Sequence, residues 1–231
     1  MLPATLSPTT VLLLLADGRA PVGGNVNSGG LEPALQGGMS PTEVRRFLVA
    51  RLRTSAAVEA GVAVVTRHAV DAVAEAALTL RIDEIEDHWA ARTPGPAQRD
   101  ASRLLARGYL RLARNLWPST VLDDLDARTP RPSRGLVVGA IAALARIPAI
   151  DTARLVLYEE AQAIVAAFLK LHPSDPAIGS RWALEACAHL EPLIAELSAL
   201  TDPADIPATG GPQTELWAEA HASAPERLFR A

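Results

Sequence analysis

The residues able to do chemistry are scattered along this chain. His68, His88, His172, His189 and His221 form no His-x-x-x-His pair of the kind that places two metal ligands on one helix face. Cys187 is the single cysteine, which excludes both an intrachain disulfide and a Cys-x-x-Cys ligand pair. It lies two positions from His189, a spacing that points the two side chains to different faces of a helix. Carboxylates cluster at Glu84, Glu86 and Asp87 and again at Asp123, Asp124 and Asp126. Both clusters read as solvated helix caps, because acidic side chains are favoured in a first turn. No Ser-His-Asp arrangement is readable. The expectation is therefore a chain with no catalytic residue, no metal ligand set and no cofactor, and not an enzyme.

The most informative stretch runs from Leu12 to Glu32, LLLLADGRAPVGGNVNSGGLE. A short apolar run stops at Asp17-Gly18, and Pro21, the pair Gly23-Gly24, the pair Gly29-Gly30 and Leu31-Glu32 follow. Paired glycines admit positive φ and close backbone approach. Ser28 is placed to cap a helix starting near Gly30, with Glu32 and Pro33 in its first turn. The spacing predicts a shaped loop between two helices. Glycine pairs also turn ordinary corners, so the residues alone leave open a structural loop, the wall of a ligand pocket or a partner surface. A P-loop is excluded: no Gly-Lys-Ser/Thr occurs, and the only lysine, Lys170, is far from any glycine-rich turn.

Elements must hold such a loop in place. With 231 residues the chain can bury a large core. Hydrophobic residues make up 49% and aromatics only 4%, a Leu/Val/Ile/Ala balance that suits close-packed helices. Ser40-Pro41-Thr42-Glu43 is a capping box that launches a helix. An Ala/Val-rich helix is expected from Ala56 to Leu80, then a short helix capped by Asp83, then one from Arg99 to Leu116. Ser119 and Ser133 precede further helices. Asp151 is expected to cap Thr152–Leu171. Asp175-Pro176 starts a helix that Pro192 should kink or split. No stretch alternates like a strand. The predicted fold is all-α: a single-domain multi-helix bundle over 1–201 with a flexible C-terminal tail.

The tail, 202–231, reads as a flexible linker and a short helix, Thr214 to Ala222. It ends in SAPERLFRA, where Leu228 and Phe229 between Arg227 and Arg230 form an apolar anchor with little core left to enter. The net charge of −4 leaves no footprint for nucleic acid. No apolar run approaches membrane-spanning length, and no signal peptide is evident. The expected location is the cytoplasm.

Both ends resemble the UreF-type urease accessory proteins. The first carries Pro21-Val22-Gly23-Gly24 and Ser28-Gly29-Gly30-Leu31-Glu32 in the family's order; the second carries Ala224-Pro225-Glu226-Arg227-Leu228-Phe229-Arg230. Arg99–Pro118 and Gly135–Gly139 are more diffusely similar. Asn25-Val26-Asn27 departs from the aromatic and His common in the family, and Lys170–Asp175 departs from its Arg-Leu-x-Pro-Leu-Gly-Gln-like segment. The resemblance implies a non-enzymatic scaffold of urease maturation. It would bind a UreD/UreH-type protein, recruit a UreG-type GTPase, act on apo-urease in GTP-dependent nickel insertion, and form a homodimer. Its partner-binding residues would be Pro21, Gly23, Gly24, Ser28, Gly29, Gly30, Leu31, Glu32, Arg227, Leu228, Phe229 and Arg230. A helical ligand-binding or enzymatic domain with its pocket at the glycine loop, or a generic helical adaptor, is the alternative.

Overall fold

Prolines and short polar side chains set most of the helix starts. Along the chain these are α1 (Pro8–Leu15), α2 (Leu31–Gln36), α3 (Val44–Arg53), α4 (Ser55–Ala72), α5 (Glu75–Arg92) and α6 (Pro96–Leu116). They continue with α7 (Thr120–Arg128), α8 (Arg134–Leu144), α9 (Ala149–Leu171), α10 (Pro176–His189), α11 (Glu191–Ser198) and α12 (Pro212–Ala222). This computed structural model describes residues 7–128, 131–224 and 227–229, and no strand occurs among them. The fold is all-α, as the composition implied.

Helix α4 is the centre. It packs against α8, α9, α5 and α11, and most of its residues are buried. Two glycines of α8 make its contact with α4 close. A Cβ on Gly135 would stand 2.6 Å from the carbonyl oxygen of Glu59, and one on Gly139 would collide with that of Ala63. The backbones therefore touch where side chains would otherwise hold them apart.

Several boundaries follow the sequence reading. Ser40 and Glu43 form the expected capping box, on a 3-10 turn (Pro41–Glu43) that runs into α3. The Ser133 hydroxyl accepts the Leu136 N–H at the head of α8. Pro192 splits the last long segment, with Leu190 between α10 and α11.

Others differ. Helix α5 runs straight through Asp83, and the break falls earlier, at Val73, whose backbone is extended. Leu78, Ile82, Ile85 and Trp89 form one buried face at helical spacing, and nothing in 80–84 interrupts it. Asp151 sits inside the first turn of α9, which begins directly after Pro148.

The stretch expected to be a flexible linker is packed against the body. Asp202 caps a 3-10 turn (Pro203–Asp205), and Ile206 is buried. Arg92 donates to the carbonyls of Ala204 and Ile206 from α5. Helix α12 then lies on α6 and α2, with the Trp217 ring filling the space a side chain at Gly37 would need.

Candidate functional site

The glycine loop and the C-terminal segment meet. The Ser28 hydroxyl accepts the Glu32 N–H at 3.3 Å, so Ser28 does cap α2, from two positions ahead of the helix's first flanking residue, Gly30. Gly29 and Gly30 take φ of 60° and 82°, and the adjacent left-handed pair turns the chain into α2. The turn directs the Glu32 carboxylate at the C-terminal segment. Glu32 Oε1 accepts the backbone N–H of Leu228 at 2.9 Å, and Oε2 accepts that of Phe229 at 2.8 Å. His221 of α12 lies against the same carboxylate, Nε2 to Oε2 3.4 Å, with its Nδ1 3.1 Å from Gln36 Oε1.

Phe229 thus has a core to enter after all. It is 3% exposed, and the Lys170 ammonium stands 5.0 Å from its ring centroid. Leu228, beside it, is 64% exposed. The expected pair of free anchors is one buried anchor and one surface leucine. The reason is Glu32: two charge-assisted bonds to consecutive amides fix the segment and leave one side chain facing in. Arg227 is exposed, and Arg230 lies outside the described residues.

The other loop residues divide. Leu31 is core, and Ser28, Gly29 and Glu32 are buried. Gly23 is left-handed at φ 90°, but Gly24 is not, and it opens a 3-10 turn (Gly24–Val26) with open space where a Cβ would be. Pro21 is exposed and its carbonyl accepts from Arg111. Behind it, Gly108 of α6 abuts the Val22 backbone so closely that no side chain would fit.

Beneath loop and tail lies a cavity of about 460 Å³, walled by Asn27, Gly30 and Pro33 on one side and by Ala218, His221 and Arg227 on the other. Its floor is a buried charge network. Glu160 accepts from Arg51 at 3.0 Å and from Arg134 at 3.2 Å. Burial pushes the Glu160 carboxyl up, but the two guanidinium groups outweigh it and hold it below the ordinary value. Arg134 is held charged the same way: burial works against it, and Glu160, Glu59 and Glu159 raise it above the usual range. Glu59 accepts from Trp89 Nε1 at 3.0 Å and from the Gly135 N–H at 2.7 Å.

Two further carboxyls are partly buried, one of them, Glu86, expected from the sequence to be a solvated cap. Glu86 is not a first-turn cap. It sits late in α5 and accepts from the Ser133 N–H and hydroxyl, tying α5 to the head of α8. Burial pushes it up to about 6 despite those bonds. Glu159 is hydrogen-bonded by the Tyr109 hydroxyl, and burial pushes it up to about 7 against the opposing charge of Arg134. The Asp123–Asp126 cluster does stay at the surface, with Arg114 bridging the first and last of its acids. No group of three His, Cys, Asp or Glu placed to hold a metal ion occurs among the described residues, and no helix there is long and apolar enough to cross a membrane.

Sequence reasoning pointed to Glu32 and missed what it does, because its partners are 196 and 197 positions away. It also missed Arg51, Arg134 and Glu160, which carry no local pattern. The one available signal was that long, bulky Arg134 follows a capping Ser and precedes an otherwise wholly apolar α8.

Among known proteins, the family model described as UreF matches residues 39–187. The urease accessory protein UreF of Mycobacterium tuberculosis is 33% identical over 204 residues, spanning 86% of this chain and 91% of its own length. The protein of that name from Mycobacterium sp. strain JLS is 33% identical over 228 residues, 97% of this chain and 99% of its own. That from Mycolicibacterium vanbaalenii is 35% identical over 205 residues, 86% and 91%. The stretch matched by the family model lies between the two terminal motifs and contains neither.

Proposed function

Because the chain belongs to the UreF family of urease accessory proteins, we propose that it serves urease maturation as a helical scaffold. On this reading it binds a UreD/UreH-type accessory protein and recruits a UreG-type GTPase. The assembly acts on apo-urease, where GTP-dependent nickel insertion takes place. The scaffold works in the cytoplasm as a homodimer, and the nucleotide chemistry belongs to the GTPase.

The observation that supports this reading best is the clasp at Glu32. It gathers both terminal motifs into one cluster, with Leu228 and Arg227 left on the surface beside the loop. Exposed apolar and arginine side chains around a rigidly held segment are what a docking partner needs. The residues that contact the partner are then Pro21, Gly23, Arg227, Leu228 and Arg230. Ser28, Gly29, Gly30, Leu31, Glu32 and Phe229 instead shape the surface from behind.

A pull-down of the tagged full chain against the cognate UreD/UreH-type and UreG-type proteins tests this, with nickel measured in the urease that forms. Leu228→Ala and Arg227→Ala should each reduce capture while leaving the melting temperature in place. Undiminished capture by the double variant would remove the C-terminal segment from the interface. Urease that acquires nickel equally well without this chain would remove the scaffold role.

A further inference from the structure

The wall of the cavity between the glycine loop and α12 is lopsided in its hydrogen-bonding capacity. Every carboxylate lining it already accepts from the protein. Glu160 accepts from Arg51 and Arg134, Glu59 from Trp89 and Gly135, and Asp100 from Arg131 at 2.8 Å. The donors are not used up. Arg107 and Arg227 line the same space and make no hydrogen bond or ion pair among the described residues. Gln98 also lines it; this residue is 9% exposed, and its Nε2 has no partner among the described residues. Arginines outnumber carboxylates on this wall although the whole chain carries −4.

A buried amide donor left unpaired is costly. Guanidinium groups have donors only. A ligand that matches this remainder is an acceptor bearing negative charge, since planar guanidinium groups hold carboxylate and phosphate oxygens in paired bonds. A cation is opposed by the arginines. The volume of about 460 Å³ lies within the range of small-molecule sites. We propose that this cavity binds a small oxyanion, a carboxylate or a phosphate, held by Arg107 from α6, Arg227 from the C-terminal segment and the Gln98 amide. Because Arg227 belongs to the clasped segment, an anion bound there ties that segment to α6.

Isothermal titration calorimetry on the full chain at low ionic strength tests the site, with inorganic phosphate and succinate as separate titrants and sodium chloride as the control. Saturable one-site binding of either is expected, and the tighter of the two identifies the headgroup. Arg107→Ala and Arg227→Ala should each weaken it about tenfold, as expected for loss of a charge-assisted bond. Gln98→Glu should abolish it by placing a carboxylate at the donor position. Arg107 and Arg227 are exposed, so helix content and melting temperature without ligand should stay unchanged in both. No saturable heat with either titrant overturns the proposal. So does binding retained in the Arg107→Ala, Arg227→Ala double variant, which marks an adventitious ion only. Arg107→Ala lies outside the surface proposed for the partner and so separates this outcome from capture in the pull-down, which Arg227→Ala does not.

Discussion

Glu32 Oε2 accepts the backbone N–H of Phe229 at 2.8 Å across 197 positions of chain. With the companion bond to Leu228, one carboxylate fastens the C-terminal segment to the glycine loop. A reading of Glu32 as a first-turn helix residue gives it a few tenths to about 1 kcal/mol. The clasp raises that.

Glu32→Ala leaves two amides without their acceptor in a largely buried site. The expected cost is about 2 to 4 kcal/mol, from bonds to a charged group and the stranded donors. Glu32→Gln, which keeps one acceptor oxygen, should lose less. Urea unfolding of the three proteins checks the order.

Phe229→Ala should lower stability by about 3 kcal/mol, in the range for deleting a buried aromatic ring. Removal of the chain after Ala222 should lower the melting temperature clearly, since it takes away Phe229 and strands Glu32 beside His221. A melting temperature that does not move would return the segment to a free tail.

The four loop glycines should not respond alike. Gly29→Val places a β-branched residue at φ 60° and its Cβ 2.5 Å from Ile164 Cγ1, so most of the protein should be lost to misfolding. Gly24→Val meets open space at an ordinary φ and should be tolerated. Soluble yield and thermal melts separate the two.

Burial holds Glu159 at about 7, so the folded chain keeps a proton there that the unfolded chain releases near 4.5. The stability this group contributes is complete below pH 4.5 and is lost as pH rises through 7. Glu159→Gln removes the titration. The difference in stability between pH 5 and pH 8 should then change by roughly 2 kcal/mol relative to the unaltered chain, in favour of the variant at the higher pH. Denaturant melts at the two pH values measure it. An identical pH dependence in both proteins would show that Glu159 ionises normally.

Local chemistry was legible in the sequence. The capping box at Ser40–Glu43, the Ser133 cap, the split at Pro192 and the left-handed glycine pair all act within a few residues of where they stand. The all-α class followed from composition for the same reason. Long-range pairing was not legible. Arg51 and Glu160 are 109 positions apart, and nothing near either announces the other. The tail was misread because composition reports what a segment can bury within itself. It does not report that Arg92 donates to its carbonyls and that Glu32 accepts from its amides. The boundary in α5 was misplaced because Asp83 resembles a cap, whereas the buried face from Leu78 to Trp89 overrides it.

Synthesis proceeds from the first residue onward, and the clasp at Glu32 has a consequence for its order. The acceptor is made early, and its two amides only when positions 228 and 229 are added. Until then the carboxylate lacks both of those donors and, among the described residues, has only the Gln36 amide and His221 beside it. A nascent or shortened polypeptide that lacks the two amides therefore presents a different surface at the glycine loop from the clasped one. Whatever binds the clasped surface is thereby able to tell the two apart.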